Sequence, residues 1–350
     1  MKYPRRYRQP RSLLAWGTAG LAGALLLLGP RAAPGTAQAL APPTGAQPTA
    51  ADAQPAPGSA DAINQLADVM VEAPEPRYVA PTQRDEIGRI WAPVRINGRG
   101  PFRLVLDTGA SSSGVTAMVA LALGMSIHDS PPVMLHGVTG EATVPTIRVD
   151  TLSVGDLAVD SPLLPIVPDA LGGAEGVLGS EGLKNKRIFI DFRHDKIVIT
   201  YSRDERSPHG FYTVPFRLVR GQLIVVDATV GTVHTHAIID TGGQTTIGNL
   251  ALRAALNERS FNYHGKPDRI VGATLAEEPG ELIGTPGIAM GPIVIRDSGV
   301  TFADVYIFRH WKMVNEPALM IGMDALGTLD TLIIDYRRNE LQIRTAATRG

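Results

Sequence analysis

The sequence predicts an all-β protein built from two similar lobes. Apolar residues make up 44% of the chain and aromatic residues only 5%. In the second half, short runs rich in Val, Ile, Leu and Thr are interrupted by Gly, Pro and Asp, a pattern typical of strands joined by turns. An internal repeat, in which the same motifs occur twice in one order, is the third observation. The 350 residues suffice for two such units with real cores.

The N-terminal segment differs from the rest and predicts an export signal. A basic stretch, MKYPRRYRQPR, is followed by an apolar run at residues 13–29 and by the small-residue pattern Ala37-Gln38-Ala39. Together these features predict a secretory signal peptide over residues 1–39, and therefore a periplasmic, cell-envelope or secreted protein. The alternative is an uncleaved membrane tether, because the apolar run is only slightly shorter than a membrane span.

The remaining chain divides into a linker and two predicted lobes. Residues 40–85 are rich in Ala and Pro, which predicts a flexible linker and makes the segment a candidate propeptide. The first lobe is predicted at residues 86–205 and the second at 206–350. A polar segment at 202–210, carrying Pro208, predicts the joint between them.

Composition excludes several classes of function. The 33 basic and 34 acidic residues nearly cancel, so the charge indicates no nucleic-acid partner. The absence of cysteine excludes disulfides, a thiol nucleophile and lipoprotein attachment.

The repeat is centred on two aspartates. Asp107 lies in FRLVLDTGAS and Asp240 in HAIIDTGGQT, and a turn glycine stands nine residues before each one. A short helical segment follows each aspartate, beginning at Thr116 in the first half and at Asn249 in the second. A glycine-bearing polar segment comes next, at residues 136–145 and 271–284.

Three later landmarks complete the repeat. They are a glycine turn between two strands, an apolar pair followed by glycine, and a closing hairpin that carries an aspartate. The residues are Gly155, Gly179 and Asp191 in the first half and Gly291, Gly322 and Asp335 in the second. Landmarks in one order at near-equal spacing indicate a duplication, with strands spaced as in small β-barrels.

The repeat suggests how two buried carboxylates are tolerated. An isolated charge at the end of an apolar strand is costly. If the two lobes pack face to face, Asp107 and Asp240 meet and share one proton, so that one acts as an acid and the other as a base. The hydroxyls of Thr108 and Thr241 would tie each loop to the other, and Gly109 and Gly242 would permit close backbone approach.

These paired D-T-G loops, each followed by an apolar-apolar-Gly segment, resemble the aspartic proteases over about residues 90–343. The chain is similar to retropepsin-like proteases of bacterial envelopes, fused as a tandem. The resemblance implies a bilobal pepsin-like fold of two retropepsin-like β-barrel lobes related by a pseudo-two-fold axis. It further implies a monomeric endopeptidase that needs no metal or cofactor and takes protein or peptide substrates in extended conformation.

The resemblance also implies roles for individual residues. Asp107 and Asp240 would be catalytic and would activate a water between them, with no covalent intermediate. Gly179 and Gly322 would support the catalytic loops. A substrate-covering flap would comprise His136, Gly137, Val138, Thr139 and Gly140, with Gly272 as its counterpart.

The chain departs from the pepsins at three points. Ala110 and Gly243 stand where pepsins carry a hydroxyl residue, which predicts a dyad that stays half-protonated to higher pH. The tyrosine typical of the pepsin flap is absent from residues 136–145. Either substrate positioning differs there, or residues 271–284 form a second flap.

Other interpretations remain open from the sequence. One is a catalytically inactive peptide-binding regulatory module of the same fold. Another is an envelope structural protein held by an uncleaved N-terminal anchor. His234 and His236 lie on one strand face as a metal pair without a third ligand, and packed or exposed histidines are the simpler interpretation. The HGVTGE segment has a phosphate-loop composition without the required lysine. Trp91 and Trp311 are predicted to pack in a core or between the lobes and not to bind substrate.

Overall fold

The computed structural model describes residues 89–345 apart from gaps at 155–156, 160–162, 170, 221 and 259–264, and three short strands nearer the N-terminus. Apart from those strands, the predicted signal peptide and linker lie outside the described residues. The described chain is mainly β-strand with four short α-helices, which confirms the predicted all-β class. No helix among the described residues is long and apolar enough to cross a membrane.

The first half of the chain contains fifteen strands, one α-helix and one 3-10 turn among its described residues. The strands are β1 (Gly20–Leu21), β2 (Leu27–Leu28), β3 (Tyr78–Pro81), β4 (Trp91–Ile96), β5 (Arg99–Leu106), β6 (Gly114–Thr116), β7 (Val133–His136), β8 (Glu141–Val144), β9 (Thr146–Arg148), β10 (Leu152–Val154), β11 (Leu157–Val159), β12 (Leu163–Val167), β13 (Gly176–Leu178), β14 (Lys186–Asp191) and β15 (Lys196–Tyr201). The helix α1 spans Ala117–Leu123 and the 3-10 turn spans Ser180–Gly182.

The second half contains thirteen strands and three helices among its described residues. The strands are β16 (Tyr212–Pro215), β17 (Arg217–Val219), β18 (Leu223–Val230), β19 (Val233–Ile239), β20 (Ile247–Gly248), β21 (Lys266–Val271), β22 (Glu277–Gly284), β23 (Ile288–Met290), β24 (Ile293–Ile295), β25 (Gly299–Phe302), β26 (Ala318–Ile321), β27 (Thr331–Asp335) and β28 (Glu340–Arg344). The helices are α2 (Leu250–Glu258), α3 (Tyr306–His310) and α4 (Met323–Leu326).

Strand β5 shows why the approach to Asp107 is so apolar. Its first three residues are exposed and Phe102 and Arg103 alternate, but Leu104, Val105 and Leu106 are all buried. A strand that is covered on both faces requires a continuous apolar run instead of an alternating one. Strand β19 changes from alternating to continuous burial in the same way before Asp240.

The strand pairing around the two aspartates is the same in both halves. In the eight-stranded sheet β11–β10–β4–β5–β13–β6–β12–β9, β13 runs parallel to β5 and antiparallel to β6. In the second half, β26 likewise runs parallel to β19 and antiparallel to β20. That sheet has the order β1–β21–β22–β25–β20–β26–β19–β18–β23–β24, with β17 beside β18.

A six-stranded sheet contains strands from both halves, in the order β16–β28–β27–β14–β15–β3. Its centre is the antiparallel pair β14 and β27, where Arg187 lies opposite Asp335. Their side chains form an ion pair of 2.8 Å, and Gln342 accepts a second bond from the same guanidinium group at 2.8 Å. Because Asp335 is fully buried, this charge is compensated inside the sheet.

The three strands before Arg89 fall within segments predicted to lie outside the folded lobes. β3, inside the predicted linker, pairs antiparallel with β15, so the sheet includes residues before the predicted lobe boundary at 86. Inside the predicted signal peptide, β1 pairs parallel with β21 and β2 pairs antiparallel with β7.

Candidate active site

The two predicted catalytic aspartates stand at the ends of buried strands. Asp107 follows β5 and Asp240 follows β19, and they are only 0% and 1% exposed. The amide of Asp107 donates to the carbonyl of Leu178 at 3.0 Å, and the amide of Asp240 donates to that of Ile321 at 3.0 Å. The neighbouring parallel strand therefore fixes the backbone of each aspartate in the same way.

Backbone amides hold one oxygen of each carboxyl group. Oδ1 of Asp107 accepts from the amides of Gly109 at 2.8 Å and Ala110 at 2.9 Å. Oδ1 of Asp240 accepts from Gly242 at 3.0 Å and Gly243 at 2.9 Å. In the described part of the chain, the two Oδ2 atoms are buried and receive no protein donor of this kind. One face of each carboxyl group is thus fixed, and the other remains available for chemistry.

The two loops approach each other so closely that glycine is required. A Cβ atom on Gly242 would lie 2.2 Å from Cγ of Asp107, and one on Gly109 would lie 3.0 Å from Oδ1 of Asp240. Each glycine therefore packs against the carboxyl group of the opposite half. The structure brings together the two aspartates that the repeat predicts to meet.

This proximity changes the acidity of both carboxyl groups. Burial raises the pKa of Asp107 well above its ordinary value, and the negative charge of Asp240 raises it further. Burial also raises the pKa of Asp240, while the amides of Gly242 and Gly243 and the positive charge of Arg89 oppose that rise. The pair therefore favours a state in which the two carboxyl groups hold one proton between them.

Thr108 and Thr241 lie between the two halves, as the sequence predicts. Both are fully buried. Each hydroxyl donates to a carbonyl of the opposite half at 2.7 Å, Thr108 to Ile239 and Thr241 to Leu106. Each also accepts from the opposite threonine amide at 3.1 Å.

The predicted support glycines pack beneath the loops. A Cβ on Gly179 would lie 2.4 Å from the backbone of Ser112, and one on Gly322 would lie 2.6 Å from that of Thr245. The second loop is also fixed by its backbone, because the Gly243 carbonyl accepts a hydrogen bond from the amide of Met323 at 2.8 Å.

Sequence analysis missed a polar pair that supports each loop. The carboxylate of Glu181 accepts from the amide of Ser113 at 2.6 Å. In the second half, Asp324 accepts from the amide of Thr246 at 3.0 Å and from its hydroxyl at 2.7 Å. Each acid stands two residues after a support glycine and each hydroxyl residue six after an aspartate. An alignment of the two repeats would have shown this shared spacing.

Arg89 is a second residue that the sequence analysis missed. Its side chain is 1% exposed, and its positive charge acts on Asp240. When the two halves are aligned on Asp107 and Asp240, the position that corresponds to Arg89 is Gln222. The two halves therefore differ in charge at this place, which makes the electrostatics of the dyad asymmetric.

The predicted flap is a hairpin that begins earlier than expected. It consists of β7 and β8, residues 133–144, and is called the first flap; the prediction placed it at 136–145. The tip is formed by Gly137, Val138, Thr139 and Gly140, and the amide of Gly137 donates to the carbonyl of Gly140 at 2.7 Å. The hairpin begins at Val133 because Val133 is still paired with Val144 in the opposite strand.

A second flap faces the first. It is the hairpin of β21 and β22, residues 266–284, which includes the predicted segment 271–284. The hydroxyl of Thr139 donates to the carbonyl of Ala276 at 2.7 Å and accepts from the amide of Gly272 at 3.1 Å. A Cβ on Gly272 would lie 2.3 Å from that hydroxyl oxygen, which explains the glycine.

Each flap tip packs into the opposite half. Val138 of the first flap is fully buried in an apolar cluster with Val305 and Ile307 of the second half. Ala273 of the second flap packs in a cluster with Ala110, beside the first catalytic loop. Each flap tip is therefore held by the half opposite to its own.

The remaining candidate residues have structural explanations. Trp91 and Trp311 are buried in apolar clusters, which confirms the core prediction. The HGVTGE segment forms the turn of a hairpin and not a strand-to-helix loop, so the phosphate-loop interpretation is wrong. Among the described residues, no group of three or more His, Cys, Asp or Glu side chains could hold a metal ion.

His234 and His236 lie on the same face of β19, where His234 is exposed and His236 is partly buried. Nδ1 of His236 lies 3.3 Å from Asp227, whereas its Nε2 lies 3.8 Å from Glu316. Arg217 also contacts Nδ1 of His236 at 2.8 Å. The surroundings are those of a surface ion-pair network.

Comparison with known families agrees with this geometry. Residues 92–181 match the model of the aspartyl protease family. This stretch includes Asp107, the first flap and the support glycine Gly179, so the resemblance predicted from the sequence is confirmed over the first half. No curated protein matches the chain.

Proposed function

We propose that the protein is an aspartic endopeptidase in which Asp107 and Asp240 together hydrolyse peptide bonds. The observation that carries the proposal is the pair of buried carboxyl groups, each fixed by two amides and each packed against a glycine of the other loop. Two acids in such contact share a proton, which provides an acid and a base at one place.

The proposed reaction starts with a water between the two Oδ2 atoms. Asp240, as the ionised base, takes a proton from the water while the water oxygen bonds to the peptide carbonyl carbon. Asp107 gives its proton to the carbonyl oxygen, which yields a neutral tetrahedral diol. The carbon–nitrogen bond then breaks as Asp240 protonates the nitrogen, and one hydroxyl of the diol returns its proton to Asp107.

The assignment of roles follows from the asymmetric charges. The buried Arg89 stabilises negative charge on Asp240, whereas burial and the Asp240 charge favour the proton on Asp107. No hydroxyl side chain stands at position 110 or 243 to stabilise the ionised forms further. The proposed enzyme therefore remains half-protonated, and active, at higher pH than a pepsin.

The proposed architecture is bilobal, with a pseudo-two-fold axis between the aspartates. Its support is the repeated strand pairing at β13 and β26 and the reciprocal bonds of Thr108 and Thr241. Because both aspartates come from one chain, the proposed enzyme works as a monomer. An extended peptide would lie between the flaps and the catalytic loops once the flap tips separate.

We also propose that the enzyme acts outside the cytoplasm. The basic stretch, the apolar run and the Ala37-Gln38-Ala39 pattern support export with cleavage after Ala39. Mass analysis of the mature N-terminus after expression with export would find Ala39 removed. A mature chain that still begins at Met1 would instead favour the membrane tether.

The activity is tested by digesting a peptide library with the wild-type protein and with Asp240→Asn, and reading the products by mass spectrometry. We expect cleavage by the wild type over a pH series and none by the variant, whose folding is checked by its unfolding transition. If the wild type cleaves nothing while binding library peptides, the protein is a peptide-binding module instead. If Asp240→Asn cleaves the same bonds at the same rate, the proposal is overturned.

A further inference from the structure

Helix α3 belongs to a segment with no counterpart in the first half. Fifteen residues, 303–317, connect β25 to β26, whereas eight residues, 168–175, connect the corresponding strands β12 and β13. The shorter connection contains no helix among its described residues. The second half therefore carries an addition to the repeated fold, and its contacts indicate what it does.

The added segment contacts the tip of the first flap through a backbone hydrogen bond and through apolar packing. The amide of Ile307 in α3 donates to the carbonyl of Val138 at the flap tip, at 3.0 Å. Val138 packs in the same apolar cluster as Ile307, Phe308 and Trp311. These contacts join the flap tip to α3 directly.

A polar cluster beside them links the strands of the first flap to the same helix. The Tyr306 hydroxyl donates to the Glu141 carboxylate at 2.6 Å and accepts from Nδ1 of His136 at 2.8 Å. His136 ends β7 and Glu141 begins β8, so Tyr306 holds both strands of the hairpin next to its turn. The ring of His310 lies against that of His136, with centroids 4.3 Å apart.

The second flap has no equivalent arrangement among its described contacts. By strand pairing, Val271 opposite Glu277 occupies the place of His136 opposite Glu141. Glu277 forms its ion pair within its own hairpin, with Arg269 at 2.8 Å. The polar connection next to the turn is therefore a property of the first flap, whereas the second flap is joined to its own half farther from its turn, by Asp268 with Thr301 at 2.7 Å and by Glu281 with Arg253 at 3.4 Å.

We infer that α3 is a latch for the first flap and that Tyr306 is the positioning residue on which the latch depends. The latch would hold the flap over the dyad in the absence of substrate and guide it back after substrate binds. The pepsin flap carries its own tyrosine; here a tyrosine reaches the flap from the opposite half. That the hairpin covers a substrate cleft rests on the proposed function.

The latch should weaken in acid. Burial lowers the pKa of His310, and the positive charges of His136 and Arg220 lower it further, against the opposing effect of Glu141. Arg309, the other nearby cation, is paired with Asp304 at 2.8 Å. Because the surroundings in the latched state lower the pKa of His310 below its ordinary 6.5, the latched state is favoured at pH values above 6.5, where His310 is neutral. As the pH falls below that value, protonation of His310 places a positive charge next to Arg220 and the ring of His136, which favours release of the flap.

Hydrogen exchange of the flap amides tests the latch without requiring catalysis. In the full protein with Tyr306→Phe, we expect the amides of residues 133–144 to exchange about 10-fold faster at pH 7.5, since two hydrogen bonds are lost. Tyr212→Phe, at an exposed tyrosine of β16, is the matched control and should leave the flap unchanged. Wild-type flap exchange, corrected for the intrinsic rate, should approach that of Tyr306→Phe as the pH falls to 5.

Unchanged flap exchange in Tyr306→Phe, or a difference between wild type and variant that does not shrink in acid, would overturn the inference. If Tyr306→Phe does not fold, Glu141→Gln provides the second test, because its side chain is half exposed and the change weakens the same bond. We expect a smaller acceleration there, about 3-fold, and no acceleration would reject the latch. Failure to cleave peptides would refute the proposed function and leave these exchange results intact.

Discussion

Thr108 and Thr241 exchange hydrogen bonds in both directions across the centre of the protein. Each hydroxyl accepts from the other's amide at 3.1 Å and donates at 2.7 Å to the carbonyl just before the other's aspartate. The two catalytic loops therefore cannot separate without breaking four buried hydrogen bonds. These four hydrogen bonds, called the threonine tie, hold together two carboxyl groups, and the carboxyl groups repel each other when both are ionised.

Replacing Thr241 by valine should destabilise the protein strongly. The change keeps the side-chain shape but leaves the Leu106 carbonyl and the Thr108 amide without their partner. We expect the free energy of unfolding in urea to fall by about 2–4 kcal/mol, the cost of two unsatisfied buried groups. Thr213→Val, at an exposed strand position of β16, is the control. Equal losses in both variants would show that the tie contributes nothing.

Replacing Gly242 by alanine should abolish activity more completely than it destabilises the fold. The new Cβ would lie 2.2 Å from the Asp107 carboxyl group, so the carboxyl groups must move apart. A displacement of about 1 Å in a catalytic group costs about 100-fold in rate. Gly284→Ala is the control, because a Cβ there meets nothing within 4 Å. Wild-type kcat/KM in Gly242→Ala would contradict the close approach of the loops.

The protein should become more stable at neutral pH when Asp107 is changed to asparagine. The pKa of Asp107 is raised in the folded state above its ordinary 3.8, so the folded protein keeps a proton that the unfolded chain releases. The stability of the wild type therefore falls as the pH rises above 3.8. Asparagine does not titrate, so the Tm of Asp107→Asn should exceed that of the wild type at pH 7 and the difference should vanish below pH 3.8. Asp150→Asn, at an exposed site, should show no such pattern; a lower Tm for Asp107→Asn at pH 7 would contradict the raised pKa.

Changing Arg89 to glutamine, the residue at the corresponding position of the second half, should move the acid limb of the pH–rate profile. The positive charge of Arg89 lowers the pKa of Asp240, so its loss makes the base harder to ionise. The acid limb of kcat/KM should shift to higher pH, measured on one peptide over a pH series. The exposed Arg99→Gln serves as the control. An acid limb that stays in place would remove Arg89 from the account of the dyad.

The sequence was sufficient to predict that the two aspartates meet. The motif of a strand followed by D-T-G occurs twice, and it determines where each carboxyl group lies within its half. Because a single buried charge is costly, the two carboxyl groups are expected to lie together. The glycines at 109, 242, 179 and 322 followed from the same motifs. Each of these residues makes a contact that occurs once in each half of the protein.

Contacts that occur only once could not be predicted in this way. The packing of Val138 in the opposite half depends on how the first flap lies against the α3 segment, which is far from it in the sequence. The latch residues Tyr306 and His310 lie in an unrepeated segment, where neither spacing nor hydropathy indicates a partner. The Ser113–Glu181 and Thr246–Asp324 pairs form an intermediate case, since a residue-by-residue comparison of the repeats would have revealed them.

A double-mutant cycle in kcat/KM shows whether Asp107 and Asp240 act as one unit. Asp107→Asn, Asp240→Asn and the double variant are compared with the wild type on one cleaved peptide, with each Tm measured alongside. Residues that share one proton act together, so each single change should cost at least about 1,000-fold and the double variant should be no slower than either. A single variant that retains most of the wild-type rate, or losses that multiply in the double variant, would contradict the shared dyad.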